Sequence, residues 1–403
     1  MTLCGIMSLM LSLFDRGLTR EAIKAFDINK VLFIVGPRKS GKTQLINELL
    51  EEDNSFPNEN VKRFNCDVYN VRKMLDDSTM KQFQQKIERY TLIIIEEAQH
   101  LGQLDKLFEA IVQRDEDSLS NKNQRIVITL SQLAQRKPKF LIRSKLTYEI
   151  FHLYPISILE LADSSNDEEV DFDRIMRFGL YPEVWQSNED EAVEVLREIA
   201  SQYLYRDLLE LDAIKKPSAI GEILRLLALN IGSEISMSKI SKHTGLDDKT
   251  VERYINYLIE AFIVFRVRPL NRRGKSEVKV RDKYYFWDIG IRNALLDNFG
   301  RPDNRVDKDQ IWENVCIAER QKANFLKDEL YSPFFWRTHG NQEISYVEEE
   351  ENWLVPYKFS WNEFSHIKQE LKDVKTPPEF KKLYGIEKQS LITQETLVEF
   401  LKQ

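Results

Sequence analysis

Between Lys30 and Leu161 the chain alternates short apolar runs with longer stretches whose apolar residues recur at helical spacing. VLFIV, KRFNC, TLIIIE and RIVITLS have the length and the β-branched or aromatic content of strands. Strands alternating with helices predict a parallel sheet covered by helices, because a parallel pairing needs a long crossover to return to the same edge. A polar, acidic stretch, SSNDEEVDFD, then predicts a linker, and the sequence on to Asp212 is otherwise mostly helical.

From Ala219 the order is three helices, AIGEILRLLALNIG, SMSKISKHTG and DDKTVERYINYLIEAF, followed by the β-rich IVFRVRPL and KYYFWD. That order matches a winged helix-turn-helix. The last part opens with a helical pattern, QIWENVCIAERQKANFL, and continues as short strands, FFWRT, EISYVEE and NWLVPYKF, which predict a third α/β unit. The expected division is therefore 1–162, 163–212, 213–300 and 301–403, consistent with a length of 403 residues, which is too long for one ordinary core.

Composition narrows the classes. With 42% hydrophobic and 31% charged residues the chain can bury several cores. Its three cysteines, Cys4, Cys66 and Cys316, are far apart and its five histidines are scattered, so neither a disulfide framework nor a zinc site is suggested, and a reducing cytoplasm fits. The apolar segment Leu3 to Phe14 has no preceding basic residue and is too short to span a bilayer, so a buried or amphipathic first helix and no membrane association are expected. A net charge of −7 argues against an all-over cationic coat.

Chemistry enters at Gly36, Pro37, Arg38, Lys39, Ser40, Gly41, Lys42 and Thr43, which fit G-x-x-x-x-G-K-[ST] between an apolar strand and the helix that starts TQLINELL. Glycines let backbone N–H groups approach phosphates at a positive helix end, Lys42 would reach the β- and γ-phosphates, and Thr43 would ligate Mg²⁺. ATP and Mg²⁺ are thus the expected ligands, with Gln44 at the edge of the site. The apolar strand of YTLIIIEEAQ delivers Glu96 and Glu97 to its C-terminal end, where ligands sit in open α/β sheets. Glu96 would hold the metal and Glu97 would polarise the attacking water. RIVITLSQ would place Thr129 or Ser131 within reach of the γ-phosphate.

With these residues the chain resembles a large prokaryotic family of AAA-type ATPases whose C-terminal region is related to restriction-endonuclease-fold nucleases. The likeness rests on GPRKSGKT, IIIEEAQ, TLSQ, EIFHLYPISILEL, FGLYPEV, IEAFIVFRVRPL, YYFWDIGIRNALL and WENVCIAE. Three departures change what it implies. Glu96 stands where the family usually has Asp, and Leu146 and Thr147 stand where it tends to have Gly-Arg, so no arginine finger is assigned; Arg143 and Lys145 are only neighbours. In the C-terminal region Glu313 and Lys358 match a nuclease metal site, but Ser345 and Pro356 replace the expected acids, so metal-dependent cleavage is expected to be lost.

Charge is uneven. From Ala213 to Tyr285 there are fifteen Lys/Arg against eight Asp/Glu, and Arg266, Arg268, Arg272, Arg273, Lys275, Lys279, Arg281 and Lys283 fall in the expected wing and its loop. On the third helix Val251, Tyr254, Ile255 and Leu258 should face the core, leaving Lys249, Glu252, Arg253 and Asn256 outward, with Asp247 as N-cap. Double-stranded DNA is one expected partner, through Lys249, Arg253, Arg272, Arg273 and Lys275. The competing expectation is that these charges pair within the protein. The leading functional expectation is a nucleotide-dependent switch ATPase, with an unidentified protein partner and a homo-oligomer as further expectations. The second is a DNA-binding regulator that uses ATP structurally.

Overall fold

The computed structural model describes residues 31–52, 60–107, 109–110, 124–131, 148–164, 170–203, 214, 216–270, 281–326, 332–338, 340, 342–350, 353–361 and 372–403. The apolar segment Leu3–Phe14, Arg143, Lys145, the Leu146–Thr147 departure and wing residues Arg272, Arg273, Lys275 and Lys279 lie outside them. The chain forms two compact units, Met1–Tyr154 and Pro155–Gln403.

In the first unit β1 (Val31–Val35), β2 (Val61–Asn65), β3 (Leu92–Glu96), β4 (Arg125–Leu130) and β5 (Tyr148–His152) form one parallel sheet in the order β2-β3-β4-β1-β5. Helices α1 (Lys42–Glu52), α2 (Tyr69–Asp76) and α3 (Met80–Ile87) supply crossovers. β1 and β3 are buried along their whole length, as strands covered on both faces must be. The chain passes from β1 to the far edge and returns, so β4 is inserted between β1 and β3. The chain reverses its winding at β1, and the loop after β1 sits at that switch point.

In the second unit α4 (Ile158–Ser164), α5 (Phe172–Phe178), α6 (Pro182–Gln186) and α7 (Glu189–Glu198) precede α8 (Pro217–Leu229), α9 (Met237–Thr244) and α10 (Asp248–Glu260). An antiparallel pair, β6 (Val264–Pro269) and β7 (Lys283–Phe286), follows, then α11 (Ile289–Leu296) and α12 (Lys308–Leu326). β8 (Pro333–Arg337), β9 (Glu343–Glu350), β10 (Trp353–Phe359), β11 (Lys372–Lys375), α13 (Pro378–Tyr384), β12 (Lys388–Ile392) and α14 (Leu397–Lys402) complete it. A single seven-stranded sheet, β11-β12-β10-β9-β8-β6-β7, carries all these strands. Parallel pairing of Arg268 and Pro269 with Phe334 and Phe335 ties β6 to β8. The division expected at 300/301 is therefore crossed by a continuous sheet.

Several motifs that carry the family resemblance meet inside this unit as mutual ties. Asp288, from YYFWDIG, accepts from the N–H groups of Leu180 (2.6 Å), Gly290 (2.9 Å) and Ile291 (3.3 Å), so it caps α11 and holds the FGLYPEV turn. Asn293 donates to the carbonyls of Met176 and Arg177, both at 2.9 Å. Asn314, from WENVCIAE, pairs with both backbone groups of Phe286 at 2.7 and 2.9 Å. Glu319 accepts from the Ile158 N–H at 2.7 Å and pairs with Lys322 at 2.6 Å; burial pushes its carboxyl above the usual range, against the pull of Lys322. Arg320 and Glu348 form a fully buried two-pronged pair, 2.9 Å on each prong, which also receives the Tyr346 hydroxyl at 2.8 Å.

Space at these ties is exhausted. A Cβ on Gly290 would stand 2.1 Å from the Phe178 carbonyl oxygen and 2.9 Å from Asp288 Oδ1. Gly290→Ala should therefore destabilise the second unit by about 2 kcal/mol or more, whereas Gly340→Ala, whose nearest neighbour would be 3.8 Å away, should stay within about 0.5 kcal/mol. Denaturant midpoints of the two variants check this.

Candidate nucleotide-binding site

The loop after β1 is built so that its backbone faces a ligand. Gly36 donates its N–H to the Leu130 carbonyl at 3.0 Å, and a Cβ there would lie 1.9 Å from the Leu153 carbonyl oxygen, so only glycine fits between β4 and the chain leaving β5. Lys39 (φ 64°) and Gly41 (φ 100°) turn the loop through left-handed backbone, and α1 starts at Lys42 with no acidic residue in its first turn. The positive end of α1 is thus not offset by its own side chains. The buried Ser40 hydroxyl has no hydrogen-bond partner among the described residues. A phosphate-bearing ligand fits this cradle.

Lys42 is 5% exposed and its ammonium donates to the Gly36 carbonyl (2.9 Å), the Pro37 carbonyl (3.0 Å) and the Ser131 hydroxyl (3.0 Å). It also stands 3.5 Å from Glu97 Oε1. Ser131, just beyond β4, in turn donates to Glu97 Oε2 at 2.7 Å. Its hydroxyl therefore links the loop lysine to the second carboxylate. Thr129, the other residue singled out on this strand, accepts from the Glu97 N–H at 2.9 Å and so fixes the backbone that carries that carboxylate.

The two glutamates point different ways. Glu96 ends β3 and accepts from the Thr43 hydroxyl at 2.9 Å, which brings the two expected Mg²⁺ ligands together. Both present hard oxygen donors, the set a magnesium ion prefers. Glu97 leaves the strand in left-handed backbone (φ 53°) and starts a short turn, Ala98–His100. Burial alone would raise its carboxyl, but Lys42, Ser131, Arg38 and Gln99 outweigh it and hold the group below the usual carboxylate range. At neutral pH Glu97 is a carboxylate, as a base must be.

Three partners were not legible in the sequence. Gln99 donates to Glu97 Oε2 at 2.8 Å and accepts from the Ser131 N–H at 3.1 Å, closing a ring of contacts. Asp67, after β2, binds Arg38 through both guanidinium nitrogens at 3.2 Å, and His100 Nε2 lies 2.6 Å from Arg38 and 3.2 Å from Asp67. Arginine only donates, so the two contacts use alternative forms of the ring: Nε2 accepts from Arg38 when it carries no hydrogen and donates to Asp67 when it does. His100 first, then Arg38, hold the Asp67 carboxyl well below its usual range despite partial burial. The signal available in sequence was only that Asp67 and His100 follow strand ends. Gln44, expected at the site, turns along α1 to Glu48 at 3.1 Å.

In the second unit, α10 buries Val251, Tyr254, Ile255 and Leu258 and exposes Lys249, Glu252 and Arg253, with Asp247 accepting from the Thr250 N–H at 3.0 Å. Of the eight basic residues expected in the wing and its loop, four lie among the described residues, and two of these are used internally. Arg266 pairs with Asp282 (3.3 Å) and Asn256 (2.9 Å), and Lys283, 1% exposed, pairs with Glu343 and lies 3.9 Å from Glu313. The reason is position: Lys283 stands opposite Val267 on one face of the β6–β7 pair, and Arg266, half-buried, stands opposite Tyr284 on the other. Arg268 and Arg281 are exposed. Glu313 of the nuclease-type set is engaged by the Tyr285 hydroxyl at 2.6 Å, while Lys358 is exposed on β10. Among the described residues no helix is long and apolar enough to cross a membrane.

Two family models match the chain. Residues 28–162 match the family described as AAA domain, and residues 169–301 match a family described as a domain of unknown function. An uncharacterized protein of Haemophilus influenzae is 22% identical over 327 residues, 77% of this chain and 78% of that one. An uncharacterized protein of Methanocaldococcus jannaschii is 25% identical over 344 residues, 79% of this chain and 72% of that one. Among solved structures, the Walker-type ATPase of Pyrococcus abyssi aligns at 15% identity and a TM-score of 0.47, covering 70% of this chain and 96% of that one. The replication initiator DnaA, bound to AMPPCP and single-stranded DNA, aligns at 14% and 0.32, covering 62% and 91%. The family match and the parallel sheet make residues 28–162 an AAA-type P-loop domain.

If Glu96 and Thr43 hold the metal, Glu96→Gln should raise the Mg²⁺ concentration needed for half-maximal ATP binding by on the order of tenfold. A Mg²⁺ titration of ATP binding, wild type against variant, reads this directly.

Proposed function

We propose that the chain is an ATPase: it binds ATP with Mg²⁺ in the Gly36–Thr43 loop and hydrolyses it. The observation that carries this reading is the Lys42–Ser131–Glu97 chain of contacts beside the Thr43–Glu96 pair. It sets a cation, a metal-type oxygen pair and an ionised carboxylate around one cradle. Backbone N–H groups of the loop and Lys42 bind the phosphates, and Lys42 can exchange its two carbonyl partners for phosphate oxygens without leaving the cradle. Mg²⁺, when bound by Thr43 and Glu96, neutralises phosphate charge. Glu97 accepts a proton from water as the water oxygen bonds to the γ-phosphorus and the bond to the β–γ bridging oxygen breaks, with ADP as leaving group.

The segment after the AAA-type domain supports a coupled reading, in which nucleotide state is reported to the second unit. Its three helices α8, α9 and α10, the β6–β7 pair and the Glu234–Lys283 bridge are arranged in the order of a winged helix-turn-helix. The C-terminal strands with α12 we read as a degenerate endonuclease-like domain that serves as scaffold.

One observation favours a second reading, a DNA-binding regulator: Lys249 and Arg253 are exposed on α10 while the apolar side of that helix is buried. Duplex binding of that kind weakens steeply with salt. Neutralising Lys249 and Arg253 together should then flatten the log K against log salt slope by about 2, read by anisotropy with a labelled duplex.

For the ATPase reading, Lys42→Ala should weaken ATP binding at least about tenfold, because it removes a charge-assisted contact. Glu97→Gln should leave ATP affinity within about twofold and lower turnover by roughly 100-fold or more. ATP binding by Lys42→Ala equal to that of wild type would show the site to be misassigned.

A further inference from the structure

Arg38 stands inside the phosphate loop, two residues after Gly36, and its side chain is 10% exposed. Its guanidinium gathers groups from the ends of two different strands. Asp67, after β2, takes both terminal nitrogens at 3.2 Å, and His100, in the turn after β3, lies 2.6 Å from one of them. The same nitrogen is 3.7 Å from Glu97 Oε2. Asp67 is itself anchored, since its N–H donates to the Asn65 side chain at 2.9 Å. A planar fork gripped on two nitrogens by one carboxylate has little freedom to rotate, so the edge facing Glu97 is fixed.

The two oxygens of Glu97 are treated unequally. Oε2 receives Ser131 at 2.7 Å and Gln99 at 2.8 Å and faces Arg38, whereas Oε1 faces Lys42 at 3.5 Å. Three groups on Oε2 set the orientation of the carboxylate and leave Oε1 with lone pairs to spare.

We propose that Arg38, clamped by Asp67 and His100, is a positioning residue that holds Glu97 through Oε2, so that Oε1 is the oxygen that takes the proton from the attacking water. The step balances as in hydrolysis: the water O–H bond breaks, the proton passes to Oε1, and the water oxygen bonds to phosphorus. This rests on the ATPase reading above. A role acting through Glu97 differs from a role in binding phosphate, and kinetics separate them.

The experiment measures ATP binding by calorimetry and steady-state hydrolysis for wild type, Arg38→Ala, Arg38→Lys, Asp67→Asn, Glu97→Gln, and the pairs Arg38→Ala/Asp67→Asn and Arg38→Ala/Glu97→Gln. Arg38→Ala should lower kcat on the order of tenfold or more while KM and ATP affinity stay within about twofold, because misplacing a reacting group by a fraction of an ångström costs this much. Arg38→Lys should recover part of the loss. Asp67→Asn should add little to Arg38→Ala, since coupled residues are not additive. In the Glu97→Gln background Arg38→Ala should change the residual rate less than about twofold.

An Arg38→Ala variant whose loss lies in ATP affinity, or one that slows the Glu97→Gln enzyme as much as it slows wild type, would overturn the proposal and leave the ATPase reading standing. Wild-type protein that binds ATP without turning it over would overturn both.

Discussion

The insertion of β4 between β1 and β3 is the constraint from which the chemistry of the first unit follows. Neighbouring strands stand about 4.8 Å apart, so the loop after β1 and the carboxylates after β3 are separated by about 10 Å at the sheet. That gap is too wide for direct backbone contact and suits long side chains. Lys42 reaches across from one side and Glu97 from the other, and the end of β4 puts Ser131 between them. Thr129, on the same strand, fixes the Glu97 backbone. The middle strand therefore supplies a hydroxyl that holds a cation and an anion in register.

The same spacing gives the length of Glu96 a physical sense. An aspartate at that position would reach about 1 Å less far. The longer side chain meets the Thr43 hydroxyl directly at 2.9 Å. The departure from the family's usual Asp thus leaves the carboxylate beside its expected partner, and the change concerns how tightly the pair closes around a metal. Left-handed backbone at Lys39 and Glu97 shows where the fold accepts strain, of order 1–3 kcal/mol each, to aim these groups.

Legibility divided along the line between local and long-range physics. The phosphate loop, the acidic strand end, the α10 core face and the Asp247 cap depend on residues close in sequence, and periodicity or spacing exposes them. Asp67 and His100 meet the loop, and Gln99 meets Ser131, only because the strand order is β2-β3-β4-β1-β5, which no local pattern encodes. For the same reason the internal pairing of Arg266 and Lys283 was hidden: a count of cations does not say which face of a strand each occupies. The continuous seven-stranded sheet depends on a two-residue pairing of β6 with β8, far below what sequence patterning can reveal.

The motifs outside the phosphate loop have a different physical meaning from the one their look suggests. Asp288, Asn293, Asn314 and Glu319 are polar residues in apolar surroundings, the composition that often marks an active site. Here each is consumed by backbone groups or by a buried partner: Asp288 by three N–H groups, Asn314 by both backbone groups of Phe286, Glu319 by Ile158 and Lys322. A buried carboxylate whose oxygens are already satisfied has little capacity left for a substrate. Such residues resist substitution because removing one partner strands the other without water, at a cost of about 1–3 kcal/mol or more for a charged group. These ties therefore serve the fold of the second unit, whereas Ser40 and Glu97 Oε1, at the loop, still have bonding capacity to offer.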